Sequence, residues 1–334
     1  MFSREGAQTS RILMTLPAYK RPWYLFHAHL ETIWPALLRR VPQPAYRRER
    51  IYTDDDDFLD LDWLQAGHKR LVIVSHGLEG DTSRHYVTGM ANAVHGAGFD
   101  VLAWNFRGCG GEINRQPRFT HNGATEDLAA VISHALVAGN YNSVALVGFS
   151  MGGNLTLMYL GREADNVPDE VKAAVCFSVP CDLAAASSRL AESSNAIYMK
   201  RFMRLMGEKV RLQAEKFPDE FPCDDYHRLK TFADFDGRYT APLHGFRDAP
   251  HYWQCCSSSQ YLDRIRVPAW IVNARNDPFL SLSCFPDITT HDNSLVTLIS
   301  PEHGGHCGFA SLGKDQAYWS ERLAVYLLSS IRYS

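Results

Sequence analysis

Six short apolar runs constrain the fold of this chain more than any other feature of its sequence. Each run is followed by a loop and a segment with a helical pattern. The runs lack the alternation of polar and apolar residues that marks a half-exposed strand, and strands buried on both faces occur where helices cover both sides of a parallel sheet. We therefore predict an α/β fold with a mostly parallel central sheet and helices on both faces. The runs are residues 71–75, 101–106, 144–149, 173–179, 269–274 and 295–299.

The region before these runs has a different pattern. Residues 46–52 favour a strand, and in residues 58–63 apolar positions alternate with Asp60 and Asp62. The pattern predicts an antiparallel hairpin with one wet face. The run Asp54 to Asp57 lacks the spaced ligands and the glycine of an EF-hand calcium loop, so we predict a solvated turn there.

An insertion is predicted between the fourth and fifth runs. Almost ninety residues separate Pro180 from Ala269, far more than a short connection with one helix. Tyr198, Phe202 and Met206 form a helical stripe, which suits either a helical pair packed on the core or a cover over the carboxyl edge of the sheet. We predict an N-terminal extension at 1–45, core at 46–183, a helical lid at 184–262 and the rest of the core, with a C-terminal helix, at 263–334.

Composition argues against several classes of protein. The formal net charge of -3 gives no electrostatic reason to expect a nucleic-acid partner. No apolar run approaches the roughly 20 residues that span a bilayer, and no signal-peptide core is evident. The 8 cysteines are scattered without a CxxC pair, which predicts reduced thiols in a cytoplasmic protein. Loose membrane association and the oligomeric state stay open.

A candidate nucleophile lies where the third apolar run meets a helical segment. Gly148-Phe149-Ser150-Met151-Gly152 matches the G-x-S-x-G pattern of a nucleophile elbow, in which small neighbours let a serine adopt a strained backbone at a strand-to-helix turn. The helix start also favours the negative charge that forms during acyl transfer. The alternative is a serine that only caps the helix. We predict that Ser150 is the nucleophile.

A serine nucleophile needs a base and a carboxylate that orients the base. Asp277 follows the run 269–274, and both His303 and His306 follow the last run, which gives the order Ser…Asp…His. The glycines between the two histidines favour His306, because they let the loop carry it back towards the serine. Asp182, after an earlier run, is the rival acid, although it could serve only as a helix cap. The two histidines lack the H-E-x-x-H spacing of a metal-binding helix, so we predict no metal.

Two backbone N–H groups should stabilise the oxyanion that forms on a carbonyl under attack. One is that of Met151, directly after the serine, and the other is that of Leu78 in the loop after the first apolar run. Gly77 would let the backbone approach the substrate closely. His76 could be mistaken for a second base, but we predict that it orients this loop.

Several segments together resemble the YheT-type branch of the α/β-hydrolase superfamily. This resemblance implies an α/β-hydrolase fold, with Ser150 as nucleophile, Asp277 as acid and His306 as base. It implies carboxylester hydrolysis or acyl transfer to alcohols, without a cofactor. Glu31 stands where the branch more often has glutamine, and Asn276 where a second aspartate is common, which we expect to affect substrate preference. The segments are HLETIWP (29–35), HGLEG (76–80), NFRGCGG (105–111), GFSMGGN (148–154), YTAPLHGF (239–246), NARNDPF (273–279) and GGHCGF (304–309).

The leading hypothesis is therefore a serine hydrolase that cleaves small esters of short- to medium-chain acyl groups through an acyl-enzyme. An alcohol acyltransferase would use the same acyl-enzyme with an alcohol in place of water. A non-catalytic binding protein with this fold is a third hypothesis, but it predicts a broken set of catalytic residues. Ser150, Asp277 and His306 are all present.

Overall fold

The computed structural model describes residues 18–286, 293–311 and 317–331. Within them, eight strands form one sheet in the order β1-β2-β4-β3-β5-β6-β7-β8. The pairs β1–β2 and β2–β4 are antiparallel, and every other neighbouring pair is parallel. The predicted α/β class and the first antiparallel hairpin are confirmed. The strands are β1 Arg47–Tyr52, β2 Phe58–Leu64, β3 Arg70–Ser75, β4 Asp100–Asn105, β5 Ser143–Phe149, β6 Val171–Phe177, β7 Ala269–Val272 and β8 Val296–Ile299.

Helices cover both faces of the sheet. On one face, α2 and α10 pack against strand residues such as Val72 and Val147. On the other face, α3 and α4 pack against residues such as Leu71 and Leu146. The central strands β3 and β5 are therefore buried on both sides, which explains their uninterrupted apolar sequences. The helices are α1 Ala28–Leu38, α2 His85–Gly96, α3 Thr125–Ala138, α4 Met151–Arg162, α5 Leu183–Leu190, α6 Ala196–Ala214, α7 Phe232–Phe235, α8 Ala241–Leu243, α9 Ala249–Cys256 and α10 Trp319–Ser330.

The helices α5 to α9 lie between β6 and β7 in the chain, where the insertion was predicted. Part of this segment has an apolar cluster of its own, in which Met199, Met203 and Met206 of α6 pack with aromatic side chains. Phe279, just after the end of β7, belongs to the same cluster. The segment is thus packed against the carboxyl edge of the sheet. Its division from the core as a lid stays a prediction.

The predicted wet face of the first hairpin is wrong. Asp60 and Asp62 are only 3% and 2% exposed. Each faces an arginine of β1 in the strand register and is paired with it: the Arg50 Nε–Asp60 Oδ1 and Arg48 Nε–Asp62 Oδ1 distances are both 2.7 Å. Because the arginines neutralise them, both carboxylates can be buried between β1 and β4.

The acidic turn before β2 is also not simply solvated. Asp57 is fully buried, and its carboxylate accepts hydrogen bonds from Arg107 Nη1 at 2.8 Å and from Asn114 Nδ2 at 2.8 Å. Arg107 also pairs with Asp55 and with Asp127 of α3. The turn is therefore fixed to the core by an arginine that lies about fifty residues further along the chain.

All eight cysteines are free thiols, and four of them are buried. Across the described ranges, no helix has both the length and the apolar character needed to cross a membrane.

Candidate active site

The serine of the G-x-S-x-G pattern lies at a sharp turn between β5 and α4. Ser150 has a φ of 52° and a ψ of -117°, a conformation that non-glycine residues rarely adopt. A side chain at Gly148 would collide with the backbone of Gly152, and one at Gly152 would collide with the carbonyl oxygen of His76. The two glycines thus permit the close packing on which this turn depends.

The structure joins the three residues predicted as nucleophile, base and acid in one hydrogen-bonded chain. His306 Nε2 lies 3.0 Å from Ser150 Oγ, and His306 Nδ1 donates to Asp277 Oδ2 at 2.9 Å. Asp277 Oδ1 accepts a further hydrogen bond from the backbone N–H of Phe279 at 2.9 Å. Because the carboxylate accepts a hydrogen bond from Nδ1–H, the neutral ring keeps its proton on Nδ1 and presents Nε2 as an acceptor to the serine.

The surroundings of His306 favour its protonated form. Burial by itself would lower the pKa of this histidine, but the Asp277 carboxylate, by its charge and its hydrogen bond, raises the pKa above its ordinary value. The ring packs on Phe279, with the ring centroids 4.1 Å apart. A proton taken from Ser150 would therefore be held on the histidine by a fixed carboxylate.

The rival residues lie outside this hydrogen-bonded chain. Asp182 caps α5, and its Oδ1 accepts from the backbone N–H of Ala185 at 3.1 Å. The side chain of His303 is 43% exposed, and its Nδ1 lies 3.4 Å from Asn276 Nδ2. Neither residue contacts Ser150 or His306 through a hydrogen bond.

His76 has the surroundings expected of a residue that orients a loop. It is fully buried, its Nε2 accepts from the backbone N–H of Phe106 at 3.1 Å, and its Nδ1 donates to the carbonyl of Gly77 at 2.7 Å. Burial lowers the pKa of His76 to about 4. A neutral ring at pH 7 is what this donor and acceptor pattern requires.

The two predicted oxyanion donors both line the pocket next to the serine. Leu78, Ser150 and Met151 share one pocket wall. Neither the Leu78 N–H nor the Met151 N–H donates to an acceptor within the described ranges. A side chain on Gly77 would have its Cβ only 3.3 Å from the Cβ of Ser150, so the glycine leaves room beside the serine. Both N–H groups are thus free to receive a ligand atom, and their role stays a prediction.

Sequence reasoning missed the residues that hold the loop of His306. The Oε2 atom of Glu31, on α1, accepts from the backbone N–H of Gly304, and its Oε1 accepts from Asn276 Nδ2 at 2.8 Å. Asn276 Oδ1 accepts from the N–H of Gly305 at 3.1 Å, and Thr32 Oγ1 accepts from the N–H of His306 at 3.0 Å. We had expected Glu31 and Asn276 to affect substrate preference, yet both lie against the histidine loop.

This support is buried and closely packed. Glu31 is 1% exposed, and burial raises the pKa of its carboxyl group, although hydrogen bonds from Asn276 and Gly304 oppose that shift. Gly305 has a φ of +58°, and a side chain there would collide with Glu31 and Thr32. The motif around Glu31 could be noticed in the sequence, but nothing local indicates that its partner is a loop 273 residues away.

Two pockets meet at Ser150 and His306. They enclose about 990 and 1,210 Å³ of space, part of it open to solvent. The first runs beneath the helices between β6 and β7, and its walls are mostly apolar. The second lies between α1 and α6. Apolar side chains of the first pocket include Leu183, Leu190, Phe202, Met206, Phe232 and Phe235.

Comparison with known protein sequences gives consistent results. A family model described as the alpha/beta hydrolase fold matches residues 70–311. The chain is 32% identical over 309 residues to YheT, a candidate esterase of Escherichia coli (strain K12), and the match covers 90% of each chain. It is 28% identical over 289 residues to phospholipase ABHD3 of Mus musculus, which covers 84% of this chain and 70% of that protein.

Solved structures show the same fold at lower identity. The Pyrococcus furiosus esterase Pf2001 superposes with a TM-score of 0.57 at 17% identity, covering 94% of this chain and 99% of that one. Est1E of Butyrivibrio proteoclasticus with bound ferulic acid gives a TM-score of 0.55 at 15% identity, covering 84% and 98%. The predicted α/β-hydrolase fold is therefore confirmed.

Proposed function

Because the chain belongs to the alpha/beta hydrolase family, in the branch of YheT, we propose that it is a serine hydrolase that cleaves carboxylic esters of short- to medium-chain acyl groups. One observation carries the proposal. The hydrogen-bonded chain from Ser150 through His306 to Asp277 lies where two pockets meet. The names of the relatives, candidate esterase and phospholipase, agree with an ester substrate.

In the proposed reaction, Ser150 Oγ attacks the ester carbonyl carbon while His306 Nε2, 3.0 Å away, takes the hydroxyl proton. The Asp277 carboxylate holds the ring and stabilises the imidazolium that results. His306 then gives the proton to the leaving alcohol oxygen, and the acyl group stays on Ser150. Water attacks the acyl-enzyme by the same route and releases the acid.

The oxyanion of each tetrahedral intermediate would accept hydrogen bonds from the backbone N–H groups of Leu78 and Met151. Met151 is the first residue of α4, so the positive end of that helix points at the developing charge. Fixed donors of this kind lower the barrier because they need no rearrangement as the charge forms.

The first pocket suits the acyl chain. Its apolar walls come from the helices between β6 and β7, which we propose to act as the lid, and from Phe279 beside the acid. Burial of a methylene group is worth about 0.8 kcal/mol, so each carbon that contacts these walls strengthens binding. Aromatic side chains in these walls limit the space for the chain, which supports short- to medium-chain acyl groups.

Replacing the nucleophile tests the proposal. Ser150→Ala should reduce kcat/KM for p-nitrophenyl butyrate by roughly 10⁴-fold or more, because the acyl-enzyme cannot form. It should also abolish labelling by a fluorophosphonate probe. Ser188→Ala, an exposed serine on α5, is the matched control and should keep both properties. Wild-type protein that is neither labelled nor active would instead indicate a non-catalytic binding protein.

A further inference from the structure

Large apolar side chains are exposed together on one side of the molecule. Of all the exposed large apolar residues within the described ranges, half lie between residues 23 and 38, including Trp23 at 80% and Leu37 at 75% exposure. Such clustering on a soluble surface marks an interaction site, whereas single exposed apolar residues are ordinary. Together with Ile197 of α6, which is also exposed, we call these residues the aromatic face. It consists of Trp23, Phe26, Trp34, Leu37, Leu38 and Ile197.

The aromatic face is continuous. Trp34, Leu37 and Leu38 lie at i, i+3 and i+4 of α1 and so share one side of that helix. Tyr24 bridges to the preceding segment, since its ring centroid is 5.4 Å from that of Trp34 and 5.8 Å from that of Trp23. The segment before α1 and the exposed side of α1 therefore meet in one apolar surface around Tyr24.

This surface forms the rim of the second pocket. Leu37 of α1 and Ile197 of α6 both line that pocket, which leads to Ser150 and His306. The two helices also contact each other, since His29 Nδ1 lies 3.0 Å from the hydroxyl of Tyr198. An exposed apolar surface thus leads directly into the candidate active site.

Exposed cations lie close in the sequence to residues of the aromatic face, although the chain as a whole has a net charge of -3. Lys20, Arg40, Lys200 and Arg201 form no ion pair with any residue that the structure describes. Glu31 is the only acidic residue in the sequence from 18 to 40, and it is buried against the histidine loop. Glu31 therefore does not neutralise these cations.

We propose that the aromatic face docks on an anionic lipid surface, with the mouth of the second pocket towards the lipid. Tryptophan, phenylalanine and leucine side chains next to lysine and arginine are the combination by which helices settle at the boundary between headgroups and acyl chains. The free cations pair with the headgroups. The aromatic side chains and arginines would also suit a protein partner, but the lysines fit it less well, because lysine is depleted in protein interfaces. Entry of an ester from the lipid to Ser150 rests on the proposed function, whereas the docking itself does not.

Vesicle flotation tests the docking. The full chain is mixed with vesicles of phosphatidylcholine alone or with about 30% phosphatidylglycerol, and its partition is measured at low and high salt. Wild type should float with the anionic vesicles and less so at high salt. The triple variant Trp23→Ser, Phe26→Ser, Leu38→Ser, none of which lines either pocket, should lose at least about tenfold in partition. Val137→Ser, an equally exposed residue on α3, should not.

Further measurements separate docking from catalysis. Ser150→Ala should float like wild type, and the triple variant should keep wild-type turnover of soluble p-nitrophenyl butyrate. Wild type that fails to float, or a triple variant that floats equally well, overturns the proposal. So does a wild-type dimer that the triple variant converts to a monomer without any change in flotation, because another copy would then cover this face.

Discussion

The two walls of the candidate active site differ in polarity. The wall at the sheet edge is held from behind by hydrogen-bonded polar groups: Glu31 and Asp277 are buried, Asn276 is half-buried, and none of the three lines either pocket. The wall formed by the helices between β6 and β7 is apolar, with methionine and phenylalanine side chains facing the pocket. Hydrogen bonds fix atoms in position, whereas methionine adapts to what it contacts.

Few polar contacts join the two walls. Lys209 of α6 pairs with Glu79 at 3.0 Å, next to the proposed oxyanion donor Leu78. Asn195 Nδ2 donates to the carbonyl of Pro278 at 2.8 Å, next to the acid. We therefore expect the sheet edge to position the reacting groups and the helices between β6 and β7 to determine which acyl group fits. Substitutions on the two walls should therefore have effects of different kinds and sizes.

The largest effect should come from replacing one of the two histidines in the loop at the sheet edge, while replacing the other should have little effect. His306→Ala should lower kcat/KM for p-nitrophenyl butyrate by roughly 10⁴-fold, because no group then takes the serine proton. His303→Ala should change it by less than about threefold, since this side chain is outside the hydrogen-bonded chain. Equal losses in both variants would show that the loop as a whole, rather than one base, carries the reaction.

A smaller loss should follow from removing the support of that loop. Glu31→Ala should lower kcat by roughly tenfold to a hundredfold with little change in KM, because a base displaced by about 1 Å reacts poorly. Glu31→Gln should recover part of the rate, since its amide oxygen still accepts from Gly304.

The control is Glu302→Ala, whose side chain is 75% exposed and pairs with Arg275. It should leave kcat unchanged. If Glu31→Ala raised KM and left kcat intact, Glu31 would act on substrate binding. That result would fit the prediction that a glutamate, where the branch more often has glutamine, affects substrate preference.

The pH dependence of kcat/KM should depend on the protonation of His306, at the sheet edge. Only neutral His306 can accept the serine proton, so kcat/KM should fall about tenfold per unit of pH below the pKa of this histidine. Because Asp277 raises that pKa, the inflection should lie above the ordinary value of 6.5. Asp277→Asn should lower both the rate and the inflection. A wild-type profile that stays flat below pH 6.5 would contradict the assignment of the pair.

The smallest effect should come from the apolar wall, and it should change selectivity. Met206→Ala widens the first pocket, so the ratio of kcat/KM for longer over shorter p-nitrophenyl esters should rise by roughly tenfold at most. Leu212→Ala, an exposed position on the same helix, should leave the ratio unchanged. A loss of rate for every ester alike would mean that α6 takes part in the chemistry.

The residues that sequence could identify differ physically from those that it could not. The strands and the order of Ser150, Asp277 and His306 follow from local patterns, because each residue lies in the loop or turn after an apolar run. Asp60 and Asp62 were misjudged because burial of a carboxylate depends on a partner, and alternation alone does not reveal the partner.

The position of Glu31 against the histidine loop was missed for a related reason. Its hydrogen-bond partners are the backbone N–H of Gly304 and the side-chain amide of Asn276, in two distant loops, and such contacts leave no periodic pattern in the sequence. Local pattern therefore predicts the elements and the reacting groups, while the contacts that hold those groups depend on the tertiary fold.

The hydrogen bond between Glu31 and Gly304 joins positions 273 residues apart and has a consequence for synthesis on the ribosome. At about 5–20 residues per second, α1 waits many seconds before the loop that it holds has been made. Until then, Glu31 is a carboxylate without its partners, and Ser150 is a serine without a base. A nascent chain that ends before this loop therefore lacks the proposed base, and α1 can hold that base in place only after the loop beyond β8 has been made.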